Sequence, residues 1–185
     1  MLARALGAGL AVALPLMLSP AGHAEDRRVS PAWMKPDIGA RKVTFDIIAG
    51  FNANNGALNF NGYFTGDATI VVPVGWTVEI GFKNNDAMLP HSLLVTKPYA
   101  PDHFPDLAGV SDVAISRAYT DNPEEGIPAP KTDKVQFAAK NPGEYYFLCG
   151  APGHGKGGMW IKFKVDPAAA SPYVSIVQGA EAGRP

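Results

Sequence analysis

Cys149, His154 and Met159 are separated by four residues each, and five glycines lie in the intervals between them. The run Glu144–Leu148 leads in and Met159–Val165 leads out, both rich in the aromatic and β-branched residues that favour strands. A strand must therefore deliver the cysteine, a Gly- and Pro-rich loop must carry the histidine, and a second strand must lead away. The chain has to turn back on itself around one point. Gly150, Gly153, Gly155, Gly157 and Gly158 allow backbone conformations that other residues resist.

The remaining chain reads as short strands divided by turns. Val43–Ile48 alternates, Ala68–Val72 runs into a break at Pro73-Val74-Gly75, and Trp76, Val78, Ile80 and Phe82 all point one way along a strictly alternating segment. His91–Thr96 and Lys134–Ala138 complete the set. Between these last two, residues 97–132 hold six prolines and only a weak helical pattern over Ser111–Tyr119. An excursion of that length in a compact β domain is usually functional or a family-specific insertion. Seven or eight strands of this kind predict an all-β, antiparallel Greek-key sandwich with a loop or short-helix excursion at about 97–132.

Residues 1–24 have the pattern of a secretory signal peptide: Arg4 near the start, an apolar stretch from Ala5 to Leu18, and small residues at Gly22 and Ala24. An uncleaved N-terminal anchor is the alternative. Residues 25–41 read as an arm, 42–165 as the domain, and 166–185 as a peripheral tail. No apolar run reaches the roughly 18 residues of a membrane span. A formal net charge of -1 with scattered basic residues argues against nucleic-acid binding, and nothing indicates oligomerisation. The expectation is an exported monomer on the extracytoplasmic side, such as the periplasm, whose mature form does not span the membrane.

Cys149 is the only cysteine, so no disulfide can form within the chain. A free thiol outside the cytosol is a liability unless it is buried or occupied. A thiolate, two imidazoles and a weak thioether form the ligand set of a blue-copper site. His91, opening a strand after the apolar loop Met88-Leu89-Pro90, is the natural second imidazole. Structural zinc is compatible by ligand type but would leave the methionine unused. His103, beside Asp102 and near Asp106, has no recognisable ligand spacing and reads as a solvent-facing residue.

The segments LNFNG (58–62), VPVGW (72–76), NND (84–86), PHSLLV (90–95) and CGAPGHGKGGMW (149–160) together resemble the cupredoxins, most closely the sulfocyanin-like blue copper proteins. The resemblance covers about 42–165 and implies one type 1 copper held by His91, Cys149, His154 and Met159. It also implies single-electron transfer rather than catalysis, between redox proteins such as cytochromes or a terminal oxidase or reductase. Ser92 is expected to hydrogen-bond the thiolate through its N–H or its hydroxyl, so that Ser92→Ala lowers the potential. His154 is the expected electron exit, with Met88, Leu89, Pro90, Ala151, Pro152 and Gly153 as an apolar docking patch around it. Enzymes with further copper centres need more histidines than His103 can supply. A copper carrier or chaperone without an electron-transfer role is the alternative function, although Met34, Met88 and Met159 form no methionine cluster.

Overall fold

The computed structural model describes residues 26–180 and is an all-β sandwich of two sheets. Ten strands follow in chain order: β1 (Arg27–Val29), β2 (Met34–Asp37), β3 (Lys42–Ala49), β4 (Ala68–Pro73), β5 (Trp76–Asn84), β6 (Leu94–Thr96), β7 (Thr132–Ala139), β8 (Gly143–Leu148), β9 (Trp160–Asp166) and β10 (Tyr173–Ile176). One sheet runs β1-β10-β4-β9-β8-β6 and the other β2-β3-β5-β7. Most neighbours are antiparallel, as expected, but β3 pairs with β5 and β4 with β9 in parallel. Two segments read above as an arm and a peripheral tail contribute strands: β1 and β2 from the first, β10 from the second. Their short lengths hid them, because three or four residues give too little alternation to recognise. The leader read at 1–24 lies outside the described residues.

Alternation places the core. In β3 every second residue, from Val43 to Ala49, is buried, and in β5 Trp76, Val78, Ile80 and Phe82 share the inner face. Phe137 of β7 meets Phe163 of β9 edge to face across the sandwich, with ring centroids 5.8 Å apart. Such a contact adds about 0.5–1.5 kcal/mol beyond simple burial.

The excursion covers what the sandwich leaves open. It contains one 3-10 turn, Val110–Asp112, and no α-helix over the weakly periodic stretch. Its backbone instead lines the free edge of β6: Val95 donates to Ala118, Ala114 donates to Val95, and Thr120 donates to Leu93. An otherwise exposed strand edge is thereby satisfied. Phe104 folds onto the outer face of the large sheet, stacked 5.0 Å from the ring of Trp160 and 5.8 Å from Tyr146. Together with Leu94, Ala108 and Leu148 it makes a second, smaller apolar cluster. This explains why β8 reads Tyr-Tyr-Phe-Leu rather than alternating cleanly: both faces of that strand are covered.

Candidate metal centre

The site forms where β8, β9 and the two connections bordering β6 converge. β8 ends at Leu148 and hands over Cys149, whose N–H donates to the carbonyl of Met159 across 3.0 Å. The loop between them is tied from within: His154 N–H donates to Ala151, Gly157 N–H to Gly153, and Met159 N–H to His154. The glycines do not all act alike. Gly153 and Gly158 take left-handed backbone, at φ 77° and 94°. Gly150 is needed for space, since a Cβ there would lie 2.1 Å from the carbonyl oxygen of Ala108.

His91 arrives from the other side and is pinned to the excursion by a reciprocal pair of backbone bonds with Ile127. Its Nδ1 lies 3.2 Å from His154 Nδ1 and 3.9 Å from Cys149 Sγ, while His154 Nδ1 lies 3.3 Å from the same sulfur. All three donor atoms fall within 4.8 Å of one another, and no other such group exists among the described residues. Bonds of about 2.0–2.3 Å from one ion to two imidazoles and a thiolate would leave the donors roughly 3.5 Å apart. The residues present therefore fit a single soft or borderline metal ion. Met159 is fully buried in the same apolar cluster as Cys149. His103 makes only an exposed pair with Asp102.

Burial sets the protonation of this cluster. It depresses His154 to about 4, with repulsion from His91 adding to the effect. It lowers His91 too, outweighing the support from Asp86. Both imidazoles are neutral near pH 7, so each has a lone pair to offer. Burial pushes the Cys149 thiol up, against the opposing N–H groups of Ser92 and Ala151. A cation must therefore displace the thiol proton on binding, which makes affinity fall in acid.

Ser92 lies beside the sulfur, with its two polar groups divided. Its backbone N–H reaches Cys149 Sγ at 3.3 Å. Its hydroxyl donates to the Pro123 carbonyl at 2.6 Å and accepts from Gly150 N–H at 2.9 Å, leaving it 3.8 Å from the sulfur. The N–H route is therefore the one the geometry offers.

His154 keeps 9% of its surface exposed, whereas His91, Cys149 and Met159 keep 1% or less. On the connection leading into His91, Met88 is 86% exposed, Leu89 41% and Pro90 exposed, and Pro152 of the His154 loop also faces solvent. Ala151 does not belong to that surface: it is buried, because its carbonyl turns to accept from His154 and its methyl packs into the core. Leu107, 47% exposed, is an addition from the excursion. Its neighbours Asp106 and Ala108 both bond the ligand loop, at Gly153 and Gly150. Lys156 reaches Asp106 at 3.3 Å as an exposed pair, a contact worth little.

Two further residues escaped the sequence reading. Asp86 Oδ2 stands 3.1 Å from His91 Nε2, behind the ring as seen from Cys149. Burial works against its charge, but hydrogen bonds from Met88, His91 and Leu89 hold its carboxyl below the usual range. Asn84, fully buried, donates to the carbonyls of Leu89 and Ile127 and accepts from Asp86 N–H. Their signal was the Asn-Asn-Asp run, which marks a turn but does not say which loop the side chains will bind. A cleft of about 800 Å³ between β7 and residues 114–117 contains none of the four ligand candidates.

Residues 33–176 match the sulfocyanin (SoxE) domain family. The chain is 28% identical to a sulfocyanin of Sulfolobus acidocaldarius over 139 residues, covering 74% of this chain and 69% of that one. It is also 28% identical to a rusticyanin of Acidithiobacillus ferrooxidans over 101 residues, 52% of this chain and 59% of that protein. Among solved structures, a dithionite-reduced auracyanin of Roseiflexus castenholzii is similar at TM-score 0.48 and 23% identity, over 67% of this chain and 97% of that one. No helix among the described residues is long and apolar enough to cross a membrane.

Proposed function

The chain belongs to the sulfocyanin (SoxE) domain family, and on that premise we propose that it is a type 1 blue copper protein that passes single electrons between redox partners. The observation that carries this reading is the convergence of His91 Nδ1, His154 Nδ1 and Cys149 Sγ, with Met159 buried beside them. Copper bound there would supply one-electron chemistry between Cu(I) and Cu(II).

Each residue has a part. Cys149 would offer the thiolate, His91 and His154 the two imidazoles, and Met159 a weak thioether that tunes the potential. Ser92 N–H draws electron density from the sulfur. The loop bonds from Cys149 to Met159 and the Ile127 pair on His91 hold the donors close together before any metal arrives. Donors fixed in this way keep rearrangement small when the charge on the metal changes. Burial of three ligands excludes water, and the partly exposed edge of His154 gives the electron its exit.

The surface of Met88, Leu89, Pro90, Pro152, Gly153 and Leu107 suits the small, transient contact of a redox partner, such as a cytochrome or a terminal oxidase or reductase. The leader pattern at 1–24 supports an extracytoplasmic location. The role is that of a carrier rather than an enzyme, because His103 is the only other histidine of the described residues and stands in an exposed pair.

A visible spectrum of the copper-loaded protein tests the reading. A strong band near ~600 nm that bleaches on reduction and vanishes in Cys149→Ser is the expected result. Stoichiometric copper without colour would overturn it in favour of a copper carrier or chaperone, and exclusive zinc loading would indicate a structural site.

A further inference from the structure

Asp86 holds two neighbours with one carboxylate. Its Oδ2 lies 3.1 Å from His91 Nε2. Its Oδ1 accepts the N–H of Met88 at 2.8 Å and that of Leu89 at 3.3 Å. The side chain is only 9% exposed, and its own N–H is fixed by Asn84 at 2.8 Å. Water therefore competes weakly for Oδ2, whereas the bonds of Oδ1 lie nearer the surface.

The chemistry of the acceptor decides the state of the ring. An ionised carboxylate has no proton to give, so His91 Nε2 must be the donor. A neutral imidazole carries one N–H, which leaves the lone pair on Nδ1. Nδ1 is the atom facing His154 Nδ1 and Cys149 Sγ. We propose that Asp86 is a positioning residue that selects Nδ1 of His91 as the metal-facing atom and, through its other oxygen, sets the shape of the exposed Met88–Leu89 loop. The ligand and the apolar loop are then one unit. A partner that shifts Met88 or Leu89 acts on the carboxylate holding His91, and by reciprocity a change at His91 alters the loop that the partner meets.

Asparagine cannot reproduce this arrangement. Its amide has one accepting oxygen and one donating nitrogen, whereas Asp86 accepts on both sides. In Asp86→Asn, either the oxygen faces His91 and the amides of Met88 and Leu89 lose their acceptor, or it faces the loop and the amide nitrogen meets His91 Nε2. The second choice drives the proton to Nδ1, where it blocks the metal-facing lone pair.

The reading of the metal site underlies only the name given to Nδ1; the tautomer and the loop contact belong to the metal-free chain. The test is a long-range proton–nitrogen correlation spectrum of the metal-free protein, with amide exchange of Met88 and Leu89 followed in parallel. His91 is expected as the Nε2–H tautomer, and an Nδ1–H tautomer in the unsubstituted protein would overturn the proposal without any variant. In Asp86→Asn, either the tautomer switches or the two amides exchange about tenfold faster, the effect of losing one charge-assisted bond. If neither changes, Asp86 positions nothing. A colourless copper form would remove the electron-transfer reading while leaving these results standing.

Discussion

The backbone N–H of Ser92 points at Cys149 Sγ across 3.3 Å, while the Ser92 hydroxyl gives its proton to Pro123. Of the two donors the sequence left open, the backbone N–H is the one that reaches the sulfur, and the side chain braces the ligand loop through Gly150.

Ser92→Ala consequently separates two roles. The N–H to sulfur survives, so the reduction potential should change little, rather than fall as the sequence alone suggests. Gly150 N–H and the Pro123 carbonyl lose their buried partner, which should cost about 1–3 kcal/mol. Voltammetry and denaturant unfolding of the same variant check both parts. A large drop in potential with unchanged stability would refute this division.

Met159→Leu conserves volume at a fully buried site, so stability should fall by less than about 1.5 kcal/mol. Loss of the thioether withdraws a weak donor that favours the oxidised metal. The potential should rise while the blue band persists. Spectroscopy and voltammetry of the copper-loaded variant are the measurements.

Acid should loosen the metal-free protein over a defined window. His154 titrates near 4 when folded, against an ordinary value of 6.5. Between these values the unfolded chain binds more protons, so stability is full above about 6.5 and is lost as the pH falls toward 4. Metal bound to that imidazole would compete with the proton, so the loaded form should lose less. Thermal unfolding of both forms from pH 7 to pH 4 tests the difference.

Asn84→Ala should be among the costly single changes near the site. It removes the donor to Leu89 and Ile127 and the acceptor for Asp86 N–H. Stability should fall by at least about 2 kcal/mol, and the amides of residues 86–91 should exchange faster than those of β3.

Met88→Glu tests the exposed patch without an identified partner. At 86% exposure the substitution should leave stability within about 0.5 kcal/mol. If copper-loaded molecules exchange electrons through this surface, like charges will oppose their approach. Self-exchange, measured by line broadening in mixtures of oxidised and reduced protein, should slow at least about tenfold at low salt. An unchanged rate would move the contact elsewhere.

What the sequence determined by itself was local. Cys149, His154 and Met159 lie within eleven residues, so their meeting depends only on a loop bounded by two strands, and composition specifies both. The alternation in β3 and β5 likewise fixed their inner faces, because side-chain direction in a strand has period two. His91 stood out by its place at the head of a strand after an apolar loop, but nothing local ties it to a cysteine 58 residues away, and its meeting with Cys149 depends on how the strands pair. Tertiary structure decided the rest: that Phe104 crosses to stack on Trp160, that residues 113–120 line the β6 edge, that three short terminal segments become strands, and that Ala151 turns inward. It also decided that Asp86 meets the far side of His91 and that Ser92 spends its hydroxyl on Pro123. The physical reason is common to these cases. Periodicity encodes which way a side chain faces, but the partner it meets depends on which strands pair and which loops cross, and those choices rest on contacts far apart in the chain.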